Sequence, residues 1–247
     1  MQLLQEIQNA VLRSDYLLVS KMISRIENKD KEVDSFLAGL APGNIPVVGF
    51  TGPPGAGKST LIASFIGTLV KAGKKVAVLS VDPSSVQHMG ALLGDRIRMR
   101  EWYLHPSVYI RSLASRGHLG GLVQTIGQMT QMLKSVGFDM VILETVGVGQ
   151  SEVQVATVAD MTVLVLVPEA GDEIQMMKSG LFEVATIFVV NKSDRPEAKK
   201  FAYHLQEALG ERNRPNQKTN IIETIATTGE GVESLYQCIN EVYASLK

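Results

Sequence analysis

Over residues 1–40 the apolar positions recur three and four apart: Leu3, Leu4, Ile7, Val11 and Leu12, then Leu17, Leu18, Met22, Ile23 and Ile26, then Val33, Phe36, Leu37 and Leu40. This spacing gathers each set on one helical face and predicts two or three amphipathic helices. Ala41-Pro42-Gly43-Asn44 interrupts the pattern, since proline lacks the helical N–H and glycine favours turns. Beyond it come short apolar, β-branched runs at Pro46–Phe50, Lys75–Val81, Val108–Arg111, Met140–Leu143, Met161–Val167, Ile187–Val190 and Ile221–Ile225, most of them separated by helical spacing. Such runs suit strands buried on both faces of a parallel sheet, with crossover helices covering them. The pattern therefore predicts an α/β chain: a helical extension over residues 1–44, then an α/β domain over 45–247 that closes with a helix at about Val232–Leu246. No internal repeat or low-complexity stretch disturbs this plan.

Charge and cysteine content narrow the classes of partner. Lys plus Arg number 24 against 25 Asp plus Glu, a formal net charge of −1, which supplies no general attraction for nucleic acid or an anionic membrane. Cys238 is the single cysteine, so neither an internal disulfide nor a Cys-rich metal cluster can form, in keeping with a reducing compartment. The longest apolar runs are far shorter than the roughly 20 residues of a membrane helix. Residues 1–20 mix Gln, Glu, Asp and Arg into the apolar positions, unlike a signal or transit peptide. The expected protein is soluble and cytoplasmic.

Candidate chemistry begins directly after the first strand. Gly52-Pro53-Pro54-Gly55-Ala56-Gly57-Lys58-Ser59 fits G-x-x-x-x-G-K-[ST], and the helical stretch Thr60–Lys71 follows. Glycines let the backbone curl so that its N–H groups face phosphate oxygens, and the helix N-terminus adds partial positive charge. Lys58 would reach the β- and γ-phosphates, and the Ser59 hydroxyl would ligate Mg²⁺. This context makes the fold class a P-loop NTPase.

Two later strands end in carboxylates, where an α/β sheet presents ligand-binding groups. Asp82 closes Lys74–Asp82, and Glu144 closes Asp139–Glu144, with Gly147 three residues on, placed to meet a γ-phosphate through its amide. Mg²⁺ bound to nucleotide keeps several waters and takes only a few protein oxygens, so these acids would act partly through water. Asn191-Lys192-Ser193-Asp194 places N-K-x-D at the end of another strand. A carboxylate there would accept from guanine N1–H and the 2-amino group, a donor pair adenine lacks, and would select GTP over ATP. The Lys192 stem would pack along the base, and the Ala226 N–H would contact guanine O6.

In order along the chain, Phe50–Thr60, Val81–Ser85, Leu93–Met99, Arg111–Gly121, Glu144-Thr145-Val146-Gly147-Val148-Gly149-Gln150-Ser151-Glu152, Gly171–Gln175 with Lys178, and Asn191–Asp194 resemble the MeaB/ArgK family of P-loop GTPases. The resemblance spans nearly the whole chain, and Glu144–Glu152 is its most specific piece. It implies a GTPase chaperone of a cobalamin-dependent acyl-CoA mutase, such as methylmalonyl-CoA mutase. Such a protein binds the mutase, gates cofactor loading by GTP state, and protects or reactivates its client. The implied small molecules are Mg²⁺ and GTP or GDP, with cobalamin only on the mutase. By the same resemblance Asp82, Asp95 and Glu144 match the Mg²⁺-site acids, and Gln175 and Lys178 lie in a segment that responds to the partner.

The sequence also departs from that family. Val86-Gln87-His88-Met89-Gly90 replaces the usual run after Ser85, Ile97 stands where threonine is usual, and Ile225-Ala226 stands where Ser-Ala is usual. Family members commonly continue into a C-terminal arm that makes the homodimer, whereas this sequence stops soon after Tyr243. Val148 follows Gly147 where many small GTPases carry a water-orienting glutamine, so slow hydrolysis, faster with a partner, is expected. Gln150, Arg98 or Lys178 would then be brought in by movement.

Three other readings compete. A nickel metallochaperone GTPase would present Cys or His ligands, but Cys238 is alone and His88, His105, His118 and His204 lack tight ligand spacing. An ATP-dependent small-molecule kinase leaves Asn191–Asp194 unexplained. A regulatory GTP clamp for another metalloenzyme client fits every motif. No residues form an identifiable guanidinium-phosphorylating site.

Overall fold

In the computed structural model, residues 2–41, 43–82, 99–114, 119–145, 153, 156–168, 180–210 and 220–247 are described. Each of the seven apolar runs forms a strand: β1 (Val47–Thr51), β2 (Val76–Asp82), β3 (Val108–Ala114), β4 (Met140–Thr145), β5 (Met161–Leu166), β6 (Ile187–Asn191) and β7 (Asn220–Thr224). They pair in parallel in the order β3-β2-β4-β1-β5-β6-β7. Every residue of β1, β4, β5 and β6 is buried, while the edge strand β7 is only half-buried, which is why the inner strands read as unbroken apolar runs. Strand ends differ from the sequence pattern by a residue or more because pairing sets them. β6 runs on to Asn191, and Ile225 leaves β7 to make an antiparallel bridge with Glu230.

Alternate strand residues serve opposite layers, as the two-residue period of a strand demands. Val48, Phe50, Val76, Val78, Ile142, Val163 and Val165 point to one face, where they pack with Leu61, Phe65 and Ile66 of α4 (Lys58–Lys71) and with the carboxyl-terminal helix Val232–Ser245. Ala77, Leu79, Val81, Val141 and Leu143 point to the other face. There they meet α5 (Leu119–Ser135) and three amino-terminal helices, α1 (Gln2–Leu12), α2 (Leu17–Glu27) and α3 (Lys31–Ala38). On that same side Leu164, Leu166, Phe188 and Val190 are covered by the short α6 (Leu181–Val184) and by α7 (Ala198–Gly210); the Val232–Ser245 helix is α8.

The amino-terminal helices share one core with the sheet. Ile7, Val11, Val19, Ile23 and Ile26 are almost fully buried beside the β2 and β4 side chains. The carboxyl end of α1 is held by Lys75, whose Nζ donates to the Val11 carbonyl at 2.7 Å, a cation placed where the helix dipole favours one. Asp30 caps α3 by accepting from the Glu32 N–H, and it pairs with Arg25 at 2.7 Å.

Because β1 lies between β4 and β5, the chain leaves its carboxyl end toward β2 on one side and returns to β5 on the other. A crevice outside the carboxyl ends of the strands forms where the order reverses in this way, and ligands of open α/β sheets bind there. The loop after β1 occupies that position.

Candidate nucleotide site

Gly52 to Gly57 curl between β1 and α4 with three glycines at positive φ: Gly52 (140°), Gly55 (77°) and Gly57 (86°). At Gly52 a Cβ would lie 2.1 Å from the Val165 carbonyl oxygen, so only glycine lets the loop leave β1 this close to β5. Gly57 stands at the N-cap of α4, and a Cβ there would meet Asn191 Nδ2 at 2.5 Å. Lys58 is buried, and its Nζ donates to the carbonyls of Gly52 (2.6 Å) and Pro53 (3.1 Å), which holds the amine inside the curl of the loop. Pro54 and Gly55 are exposed at the tip, and Thr60 lies in the first turn of α4. The loop thus combines a helix N-terminus, a curled backbone and a lysine amine, the set that receives a polyphosphate.

Behind the loop, Ser59 and Glu144 meet although 85 residues separate them. Ser59 Oγ donates to Glu144 Oε1 at 2.5 Å, and Glu144 is 0% exposed. Ser80 Oγ donates to the other carboxylate oxygen, Oε2, at 3.0 Å. A carboxylate this deep needs such donors, because a buried charge without partners is costly. A hydroxyl and a carboxylate at the start of the phosphate-loop helix are hard oxygen donors, a set that fits Mg²⁺. Asp82 ends β2 next to β4, with its side chain outside the described residues. Asp95, Gly147, Gln175 and Lys178 also lie outside the described residues, as do Arg98, Gln150 and the Val86–Gly90 loop.

The N-K-x-D segment is tied to the phosphate loop. Asn191 Nδ2 donates to the Ala56 carbonyl (2.8 Å), while its Oδ1 accepts from Thr224 Oγ1 (3.1 Å) and from the Ala226 N–H (3.2 Å). One amide therefore fastens the ends of β6 and β7 to the loop after β1. Lys192, at φ 60°, sends its amine to the Gly55 carbonyl at 2.9 Å. Asp194 is exposed at the end of this turn, open to a ligand's donors. Since the Ala226 N–H already donates to Asn191, any contact with a base would share that hydrogen.

Thr224 and Ser80 belong to this framework and were not among the sequence candidates. Each is a hydroxyl side chain buried in a strand, Ser80 4% and Thr224 1% exposed, and a buried hydroxyl must find a partner. Thr145 shows the same signal: its hydroxyl donates to the Phe50 carbonyl at 3.2 Å. Cys238, by contrast, sits buried in α8 within the apolar core. Among the described residues no helix is long and apolar enough to cross a membrane.

A family described as "Methylmalonyl Co-A mutase-associated GTPase MeaB" matches residues 18–247. A Pyrococcus horikoshii protein named only as a GTPase is 43% identical over 247 residues, covering 98% of this chain and 78% of its own length. GTPase ArgK of Escherichia coli is 36% identical over 209 residues, 83% of this chain and 63% of that protein. The mouse mitochondrial methylmalonic aciduria type A homolog is 40% identical over 199 residues, 78% of this chain and 48% of that protein. Among solved structures, the LAO/AO transport system kinase superposes with a TM-score of 0.76 at 25% identity, covering 98% of this chain and 76% of that one. HypB from Helicobacter pylori, in complex with nickel, shares the fold with a TM-score of 0.57 at 16% identity, over 90% of this chain and 95% of that one. With the phosphate loop, the buried Ser59–Glu144 pair and the Asn191 bridge in one seven-stranded parallel sheet, the chain is a P-loop GTPase of the MeaB family.

Proposed function

We propose that this GTPase is a chaperone of a cobalamin-dependent acyl-CoA mutase, and that its nucleotide state gates cofactor loading and reactivation of that client. The observation that carries the nucleotide half of this reading is the Asn191 bridge, which holds the N-K-x-D segment against the phosphate loop at 2.8 Å. A base seated beside Asp194 and phosphates seated on the loop would then be read by one connected unit. The client half is supported by the description of the matching family and by the name of the mouse relative. Gly52 to Thr60 would hold the phosphates, with Lys58 on the β- and γ-oxygens, and Asn191, Lys192, Asp194 and Ala226 would hold guanine. Ser59, Asp82, Asp95 and Glu144 would hold Mg²⁺, which when bound neutralises charge on the phosphate oxygens. Gly147 would meet the γ-phosphate, and Lys178 and Gln175 would answer to the bound mutase.

Hydrolysis by the protein alone is slow in this reading, because Val148 offers no group to orient water after Gly147. The test is turnover of GTP, with ATP as control, by the purified protein with and without a cobalamin-dependent acyl-CoA mutase encoded near it. A large rise with GTP and mutase together supports the chaperone role. Turnover of several per second by the protein alone, or a mutase that neither binds nor stimulates, would overturn it.

A further inference from the structure

A hydroxyl has one hydrogen and two lone pairs, so the direction in which Ser59 donates decides where its lone pairs face. Its hydrogen goes to Glu144 Oε1 at 2.5 Å. The orientation of Ser59 therefore depends on where that oxygen sits. The terminal torsion of a glutamate is broad and close to two-fold, so the side chain itself does not fix it. Ser80 can: it stands opposite Glu144 in the β2–β4 register, is 4% exposed, and donates to Oε2 at 3.0 Å. Neighbouring parallel strands in register point such a pair to the same side of the sheet. With one oxygen pinned from β2, the other is left in place to receive Ser59 from α4.

We propose that Ser80 is a positioning residue for the Mg²⁺ site, acting through Glu144 to aim the Ser59 hydroxyl. This rests on reading Ser59 and Glu144 as part of that site. Ser80 makes no contact with nucleotide in this scheme. Its removal should change how much metal the protein needs and leave metal-free nucleotide binding alone.

The experiment measures affinity for fluorescent GDP across a Mg²⁺ titration and again in excess EDTA, for wild type, Ser80→Ala, Ser80→Thr and the Glu144→Gln background. Because Ser80 reaches the metal only through Glu144 and Ser59, its loss should raise the Mg²⁺ concentration for half-maximal effect by about two- to tenfold in Ser80→Ala, the size of one ordinary hydrogen bond. Affinity in EDTA should be unchanged, Ser80→Thr should restore the wild-type value, and Ser80→Ala should add nothing once Glu144→Gln is present. Wild-type Mg²⁺ dependence in Ser80→Ala overturns the inference. So does a loss of equal size with and without metal, a threonine variant that fails to restore binding, or full additivity with Glu144→Gln. A wild-type protein whose GDP affinity ignores Mg²⁺ would instead remove the metal-site reading beneath it.

Discussion

The side chain of Asn191 uses both ends of its amide, donating to the Ala56 carbonyl and accepting from Thr224 and Ala226. Gly57 is what lets the phosphate loop come this near, since its φ of 86° and the 2.5 Å approach of Asn191 Nδ2 to a hypothetical Cβ both exclude a side chain. A Gly57→Ala substitution should cost about 1–2 kcal/mol from the left-handed backbone alone, and should also push Asn191 off the loop. Fluorescent-GDP titration should show affinity weakened roughly tenfold or more. An unchanged Kd would mean that the bridge does not matter for binding. The residues that form motifs were legible in the sequence, because phosphate-loop glycines and N-K-x-D act through local spacing. Ser80 and Thr224 were not, because their partners lie 64 and 33 residues away and only the sheet register brings them together.

At the level of elements, all seven strands were legible, since strands buried on both faces must be continuously apolar. The amino-terminal helices were legible as helices, but an amphipathic face does not say what will cover it. In the structure they form the outer layer over β2 and β4 together with α5, so the extension is part of the sheet's core. Ile23, 0% exposed on α2, tests this. Ile23→Ala should destabilise the whole protein by about 2–5 kcal/mol in a single cooperative transition, followed by urea unfolding with circular dichroism. A separate early transition for the helices, with the rest unmoved, would show that they fold as an independent layer.

For the molecule as a whole, the proposed nucleotide site would draw on the loop after β1, the buried end of β4, and the ends of β6 and β7. A ligand bound there fastens both halves of the sheet, on either side of β1. GDP with Mg²⁺ at 100 times its Kd should add about 2.7 kcal/mol of stability. For a chain of this size that is a rise in Tm of roughly 5–10 °C, read by calorimetry. ATP at the same concentration should give no such rise. Equal shifts with both nucleotides would mean that Asp194 does not select guanine.

The position of β1 also governs how the chain can be made. Its two neighbours are β4 and β5, paired through Val47 with Val141 and Val48 with Met161, so both are synthesised roughly ninety residues or more after it. At about 5–20 residues per second on a ribosome, the most central strand waits on the order of ten seconds without either of the strands it pairs with in the fold. The three helices that precede it emerge first and cannot by themselves cover both of its faces. Asn191 and Ala226 come later still, so on the proposed site nucleotide would not help until nearly the whole sheet has been made. For the nascent chain, the interval before β4 emerges is one in which β1 stands open to chaperones, proteases and other unpaired strands.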